Sequence, residues 1–208
     1  KIIDIVEKKN IKTLVGFHTR NVPHKAHEWI HKYGLKKCNN LLIQPLIGQY
    51  MPGEYKESII IKTNKLIVNE VYKNKNVFFA ILNSFPRYAG PREALFHALI
   101  RKNYGCTHFL LGRDHAGVKK YYGIYDSQKL CKKYQKQLGI KIIVFKEPFL
   151  CEGCNKIHNT KCNLCLKEKK LKISGTMIRN MIKNQVQIPS KIMSRKFSKI
   201  IKRTSIIK

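Results

Sequence analysis

The chain has 208 residues, 43% of them hydrophobic and 26% charged, which is typical of a globular domain and excludes a disordered segment. Its formal net charge of +30 favours anionic partners such as nucleotides, nucleic acid or acidic lipids. No apolar run approaches the roughly 18 residues of a membrane span and no secretory segment opens the sequence, so we expect a cytoplasmic protein without a membrane partner. The basic residues are scattered and lack interleaved aromatics, so nucleic acid is not expected as a partner.

Short β-branched runs alternate along the chain with longer helical patterns. We predict strands at 13–17, 41–47, 77–82, 107–112 and 140–145, and helices at 26–34, 54–72, 91–103 and 127–138. Five apolar strands separated by helices predict an α/β fold with a parallel sheet and helices on both faces. In such a sheet the ligand binds beyond the carboxyl ends of the strands.

Polar clusters fall at those strand ends. HTRNVPH (18–24) follows the first strand, RYAGPRE (87–93) comes shortly after the third, and GRDHAG (112–117) follows the fourth. After the fifth strand the pattern breaks into a cysteine-rich loop, the stretch ISGTMIR (173–179) and a basic tail. The loops therefore carry the candidate site, and the strands carry the core.

The first cluster has the composition of an anion site. Pro23 suits the start of a helix, so His24 and His27 are expected on one face of its first turn. A helix N-terminus offers free N–H groups and partial positive charge, and the Arg20 guanidinium adds a two-pronged donor, which together suit phosphate. Ordinary surface histidines or a metal-binding pair are the alternatives, and the position directly after an apolar strand favours the anion site.

The other clusters are less specific when taken singly. GRDHAG is also consistent with a turn that contains an ion pair. Ser174 and Thr176 stand at a predicted helix start, where capping explains them, and Arg179 would follow as a further phosphate ligand. RYAGPREALFHALIRKNYG predicts a helix with a Gly-Pro entrance, whose apolar positions we assign to the core.

Four of the seven cysteines lie within fifteen residues, which favours metal binding in a reducing compartment over disulfides. Cys151, Cys154, Cys162 and Cys165 form two C-x2-C pairs, and such pairs suit one structural Zn²⁺ with four thiolate ligands. His158 lies between the pairs and is expected to be a bystander, although it could replace one sulfur.

Four stretches, HTRNVPHKAHE, QPLIGQYMPGEY, RYAGPREALFHALIRKNYGCTHFLLGRDHAGV and ISGTMIR, resemble in this order the successive motifs of the ATP sulfurylase (sulfate adenylyltransferase) family. The resemblance implies a Rossmann-like nucleotidyltransferase fold with a small zinc-binding loop and a C-terminal helical segment. It also implies direct attack of sulfate on the α-phosphate of ATP, with Mg²⁺ on the phosphates. The products would be adenosine 5′-phosphosulfate and pyrophosphate, or the reaction would run in reverse, in a homo-oligomer.

The resemblance further implies a division of the chain. Residues 1–12 would be the end of a linker from an N-terminal domain, 13–183 the catalytic domain with the zinc loop at 151–165, and 184–208 a basic helical tail.

The resemblance also assigns the site residues. Those with a catalytic role would be Thr19, Arg20, Asn21, His24 and His27, the two histidines by stabilising charge on the phosphates. Those that contact ATP would be His18, Thr19, Arg20, Asn21, Gly112, Arg113, Asp114, His115, Pro148, Ser174, Thr176 and Arg179, with Phe145 near the nucleotide. Sulfate would be bound by His18, Arg20 and the backbone N–H of Ala116.

One position departs from the family pattern. Many relatives have glutamine where this chain has His18. A neutral histidine still donates one hydrogen bond, whereas a protonated one would attract sulfate more strongly. Either state keeps the role of an anion ligand, and the two differ in their pH dependence.

Two other functions stay open at this point. Another nucleotidyltransferase of the same superfamily would share the H-x-x-H and S-x-T-x-x-R patterns, and a basic zinc-containing nucleic-acid-binding module would use the positive charge. HTRN, GRDHAG and RYAGPRE together favour the sulfate enzyme.

Overall fold

The computed structural model describes residues 2–48, 52–117, 121–162, 165 and 169–207. Residues 49–51 of the QPLIGQYMPGEY stretch and Val118 therefore lie outside the described part. The main sheet consists of β1 (Val15–Thr19), β2 (Leu41–Ile47), β3 (Val77–Phe79), β4 (Leu82–Asn83), β5 (His108–Leu111) and β6 (Lys141–Val144). Its order is β3-β2-β1-β5-β6, with β4 also paired to β2, and every pairing is parallel. The predicted parallel α/β sheet is confirmed.

The helices cover both faces of this sheet, as predicted. They are α1 (Ile2–Lys8), α2 (Lys25–Leu35), α3 (Glu57–Val71), α4 (Pro91–Asn103), α5 (Asp126–Leu138), α6 (Gly175–Lys183) and α7 (Arg195–Ile200). Val15 and Phe17 of β1 pack in one core cluster with Ile30 of α2. Leu14, directly before β1, belongs to a second cluster together with Ala98 of α4. The two clusters follow the alternation of side chains along a strand. Among the described residues, no helix combines the length and apolar character that a membrane crossing needs.

The cysteine-rich region forms a second, smaller sheet. Its strands are β7 (Phe149–Cys151), β8 (Lys156–His158) and β9 (Lys170–Lys172), paired antiparallel in the order β8-β7-β9. Each strand has three residues, which is too short for a sequence to display the alternation that identifies a strand. This region was therefore predicted only as a loop.

Both ends of the chain pack on the sheet. Residues 2–8, expected to be the end of a linker, form α1, and Ile2 is buried in the second core cluster. In the basic tail, Ile192, Met193 and Phe197 are buried in the first cluster. A 3-10 turn at Arg203–Ser205 leads to Ile206, which forms an antiparallel bridge with Tyr55.

Candidate active site

A cavity of about 330 Å³ opens at the carboxyl ends of the central strands. The chain leaves β1 toward β2 on one side and later returns to β5 on the other, so β1 and β5 flank the crevice where ligands bind in open parallel sheets. The cavity is formed by residues 17–21, 86–88, 110–116, 145–148 and 173–175, together with positions on α2 and α4. Its volume lies at the lower end of the range for small-molecule sites, about 300–1,000 Å³.

Most of the residues predicted from sequence line this cavity. They are His18, Thr19, Arg20, Asn21, His24, His27, Gly112, Arg113, Asp114, His115, Ala116, Phe145, Pro148 and Ser174. Thr176 and Arg179 are not among the lining residues. The guanidinium of Arg179 donates to Oδ1 of Asn21 at 3.0 Å and to Oγ1 of Thr176 at 3.1 Å. Thr176 and Arg179 are therefore linked to the cavity by the contact of Arg179 with Asn21, which lines it.

The N-terminus of α2 faces the cavity. His24 is its N-cap residue, and Nδ1 of His24 accepts the backbone N–H of His27 at 3.4 Å. The two imidazole rings stack with centroids 3.7 Å apart, so they share one face of the first turn as the sequence predicts. Because Nδ1 of His24 is an acceptor, a neutral ring carries its hydrogen on Nε2.

Both histidines are neutral at physiological pH. Burial is the main cause that lowers the pKa of His24 well below its usual range, and the neighbouring His27 and His31 lower it further. Burial also lowers the pKa of His27 to about 4, against an opposing hydrogen bond with the backbone of Val22. The turn therefore offers the neutral Nε2–H of His24 to an anion and no imidazolium charge, because the single N–H of neutral His27 is used on the Val22 backbone.

Two arginines at the cavity are held in place by carboxylates. Nη1 of Arg20 donates to the Tyr88 hydroxyl at 2.9 Å and lies 3.4 Å from Oε1 of Glu54. The Arg20 guanidinium also sits over the Tyr88 ring, 5.0 Å from its centroid. Nε of Arg113 lies 3.1 Å from Oε1 of Glu147. The positive groups are thus oriented before any ligand arrives.

The loop after β5 is strained. Asp114 and Ala116 adopt left-handed backbone angles, with φ of 47° and 57°, a conformation that costs about 1–2 kcal/mol for a residue with a side chain. The carbonyl of Ala116 accepts the N–H of Gly90 at 2.9 Å, and the Ser127 hydroxyl donates to the carbonyl of His115 at 2.9 Å. Strain that is fixed in this way clusters at ligand sites.

Three polar residues of α4 form a layer beneath the cavity. Glu93, His97 and Arg101 follow one another at intervals of four, and they are 2%, 2% and 0% exposed. Nδ1 of His97 lies 2.9 Å from Nε2 of His115, and the His97 ring stacks on His18 with centroids 4.2 Å apart. Nη2 of Arg101 lies 2.8 Å from Nδ1 of His18.

This layer was not predicted from the sequence, because α4 was assigned to the core. The spacing of the three residues was the available signal, since positions four apart share one face of a helix and charged residues are seldom buried without a purpose. Glu93 also supports the neighbouring loop, because its carboxylate accepts the backbone N–H groups of Arg87 and Ala89 at 2.9 and 3.0 Å.

One wall of the cavity is apolar. Ile30, Leu110, Phe145 and Ile173 line it. A Cβ atom on Gly112 would lie 3.3 Å from the Phe145 ring, so glycine keeps the loop close to this wall. A ligand with an aromatic base at one end and a chain of anionic groups at the other matches the two walls.

The four cysteines of the smaller sheet converge as the sequence predicts. Their sulfurs lie within 4.8 Å of one another, with 3.5 Å between Cys151 and Cys165 and 3.7 Å between Cys154 and Cys162. Tetrahedral Zn²⁺ with Zn–S bonds of about 2.3 Å places its sulfurs about 3.8 Å apart. The arrangement therefore fits a four-thiolate zinc site.

The surroundings of the cysteines support the same conclusion. Phe149 joins Cys151 and Cys162 as the buried members of this cluster, so the small sheet has little apolar surface to stabilise it alone. A Cβ on Gly153 would lie 2.7 Å from the Cys165 sulfur, so the approach of that sulfur requires glycine. Nε2 of His158 lies 3.3 Å from the Cys154 sulfur, beside the four-sulfur group rather than within it.

Comparison with known proteins gives consistent matches. A family model described as ATP-sulfurylase matches residues 1–204. A sulfate adenylyltransferase of Ignicoccus hospitalis is 38% identical over 197 residues, which is 95% of this chain and 51% of the relative. The sulfate adenylyltransferase of Carboxydothermus hydrogenoformans is 36% identical over 204 residues, 98% of this chain and 54% of the relative. The chain spans about half the length of the curated relatives it matches.

A solved structure supports the fold. A hexameric APS kinase from Thiobacillus denitrificans superposes with a TM-score of 0.73 at 15% identity, over 96% of this chain and 38% of that chain. At this level of identity the likeness concerns the architecture of the chain alone.

Proposed function

We propose, because this chain belongs to the ATP-sulfurylase family, that its cavity transfers the adenylyl group of ATP to sulfate. A sulfate oxygen attacks the α-phosphorus, the bond from that phosphorus to the bridging oxygen breaks, and pyrophosphate leaves. The observation that carries the proposal is the convergence of the family-like stretches after β1 and β5 on one cavity with neutral N–H donors and fixed arginines.

The two walls of the cavity suggest how the substrates lie. The apolar wall around Phe145 suits adenine, and the first turn of α2 suits the phosphates. Sulfate would then lie near Arg20, His18 and the backbone of Ala116, which line the same cavity. Asn21, held by Arg179, would contact ATP from the side of α6.

The chemistry matches these groups. Sulfate is a weak nucleophile and the α-phosphate is anionic, so catalysis depends on positioning and on donors that face the developing charge. Nε2–H of His24 is such a donor. Mg²⁺ would enter as the ATP complex. Of the three acidic residues in the cavity lining, Glu93 already accepts backbone N–H groups and Glu147 pairs with Arg113, and Asp114 is the third.

We further propose that Cys151, Cys154, Cys162 and Cys165 hold a structural Zn²⁺. Four thiolates leave no open position for chemistry. β9 ends at Lys172, two residues before Ser174, the N-cap residue of α6 whose Oγ accepts the N–H of Met177 at 3.1 Å. The ion would therefore fix the start of α6 against the cavity.

Molybdate-dependent cleavage of ATP tests the main proposal. Molybdate has the shape and charge of sulfate and gives an unstable mixed anhydride, so pyrophosphate accumulates. We expect pyrophosphate release when MgATP is supplied together with sulfate or with molybdate. A His108→Ala variant is the matched control, because His108 begins β5 at the opposite end of the sheet. Absence of pyrophosphate release with both anions would refute the proposal.

A further inference from the structure

Arg101 is a fully buried cation, 0% exposed. Burial lowers its pKa to about 10, which leaves it protonated at neutral pH. Among the ion pairs of the described residues, none includes Arg101. A buried charge without an opposite charge costs several kcal/mol. Its retention in α4 therefore requires a reason other than packing.

The contacts of Arg101 point toward the cavity. Nη2 donates to Nδ1 of His18 at 2.8 Å and to the carbonyl of Gln44 at 3.3 Å, and Nη1 donates to the carbonyl of His97 at 3.4 Å. A guanidinium has donors and no acceptor. Nδ1 of His18 must therefore be the acceptor, and the hydrogen of the neutral His18 ring is on Nε2.

This assignment excludes one function for the histidine cluster. Nitrogens of His18, His97 and His115 lie within 4.8 Å of one another, as in a metal site. However, a ring whose Nδ1 accepts from Arg101 has no lone pair on Nε2 to give to a metal. His97 and His115 also use one nitrogen each on their mutual hydrogen bond of 2.9 Å, and the Arg101 charge repels a cation.

We propose that Arg101 is a positioning residue that holds His18 as an Nε2–H donor toward the sulfate subsite. This inference rests on the proposed function, since sulfate is the anion named. A glutamine in place of His18 would accept from Arg101 through Oε1 and present its amide N–H in the same way.

The surroundings of His18 keep it neutral. The charged and titratable groups that face it are His97 and Arg101 from α4, His115 from the loop after β5, and Arg20 from the loop after β1. None is acidic, and burial together with these groups lowers the pKa of His18 well below its usual range. Sulfate binding through His18 therefore gains nothing from mild acid.

Nitrogen NMR tests the tautomer without reference to activity. In protein with ¹⁵N-labelled histidine, the His18 signals are identified by their loss in His18→Gln. We expect a protonated Nε2 and an unprotonated Nδ1 across pH 6–8, and a change in this pattern in Arg101→Met. A protonated Nδ1 in the unmodified protein would overturn the proposal, as would a second equivalent of bound zinc that His18→Gln removes.

Kinetics test the consequence for sulfate. Loss of one hydrogen bond to a charged ligand predicts a KM for sulfate raised roughly tenfold or more in Arg101→Met, with little change in ATP affinity. Arg101→Lys keeps the positive charge but not the two-pronged guanidinium, so its KM for sulfate should lie between those of the unmodified protein and Arg101→Met. Arg92→Met is the control, because Arg92 is exposed on the same helix.

The outcomes separate the two proposals. An equal rise in the KM values for sulfate and ATP in Arg101→Met and Arg101→Lys would indicate a structural role and overturn the positioning role. If the unmodified protein releases no pyrophosphate with either anion, the proposed function fails, while the NMR result still decides whether Arg101 fixes the tautomer of His18.

Discussion

Nδ1 of His24 accepts the backbone N–H of His27 at 3.4 Å while the two imidazole rings stack 3.7 Å apart. One side chain thus closes the first turn of α2 and also presents its Nε2–H to the cavity. The two roles use different nitrogens, so substitution can separate them.

His24→Asn should lower turnover while α2 stays intact. Asparagine is a good N-cap residue, so it replaces the Nδ1 acceptor but lacks the Nε2–H donor. We expect kcat to fall on the order of 10²-fold, with a much smaller change in ATP affinity. His24→Ala should show the same kinetic loss plus about 1 kcal/mol lower stability, because the cap is also removed. Normal turnover in His24→Asn would contradict the assigned role.

Removal of zinc should loosen the start of α6. Purification without chelator should give one equivalent of zinc per chain, and Cys154→Ser should lose it. Because the proposed ion would tie Cys151 on β7 to Cys165, which precedes β9 and Ser174 in the chain, we expect a raised KM for ATP and faster proteolysis within residues 151–172. Cys131→Ser is the control, since Cys131 is buried on α5. Unmodified protein without stoichiometric metal would contradict this prediction.

Stability should fall as the pH drops below about 6.5. Burial lowers the pKa of seven histidines: His18, His24, His27, His31, His97, His108 and His115. Below pH 6.5, the usual pKa of a histidine in an unfolded chain, the unfolded protein binds more protons than the folded one. The stabilising contribution of these histidines is therefore complete above that pH. It is lost as the pH falls toward their pKa values in the folded protein, which are about 4 for His27 and about 3 for His115.

Urea titrations from pH 8 to pH 5 measure this effect. We expect a flat midpoint down to about pH 7 and a steep fall below it, with roughly five protons taken up on unfolding near pH 5.5. His31→Leu should reduce the number of protons taken up on unfolding by roughly one. His31 suits this test because it is buried and does not line the cavity. A midpoint that stays constant to pH 5 would contradict the neutral buried state.

Tyr88→Phe should weaken sulfate binding specifically. The hydroxyl of Tyr88 accepts from Nη1 of Arg20 at 2.9 Å, and phenylalanine keeps the ring under the guanidinium. Loss of a hydrogen bond to a charged group predicts a KM for sulfate raised roughly tenfold with little change in stability. Tyr121→Phe is the control, since Tyr121 is 74% exposed. An equal effect of both substitutions would argue against a role for Tyr88.

The fold followed from the sequence where burial and periodicity agree. β2 (Leu41–Ile47) and α4 (Pro91–Asn103) have the predicted bounds, because a mostly apolar strand that is buried throughout and a Pro-initiated helix have sharp local limits. The strand expected at 77–82 is interrupted between Phe79 and Leu82. The two halves pair with different parts of β2, and pairing of this kind leaves no local trace in the sequence.

The site residues on the loops after the strands could be predicted from the sequence. The site residues whose role depends on contacts between distant parts of the chain could not. The family-like stretches suffice to predict His24, Arg20 and His115 as site residues, and all three line the cavity. Arg101 was missed, because its effect on His18 acts across 83 positions of the chain. A contact between residues so far apart in sequence can be recognised only from the structure, in which Arg101 of α4 lies beside His18 of β1.

The C-terminal segment has a consequence for the order in which the cavity is completed. Ile192 accepts the N–H of Lys25 at the start of α2, and residues 205–207 exchange backbone hydrogen bonds with residues 53–56, where Glu54 orients Arg20. During synthesis, all residues that line the cavity precede these partners in the chain. A nascent chain that ends before Ile192 therefore contains the whole lining and still lacks the backbone partners of Lys25 and of residues 53–56, so we expect the cavity to reach its final shape only after this segment has docked.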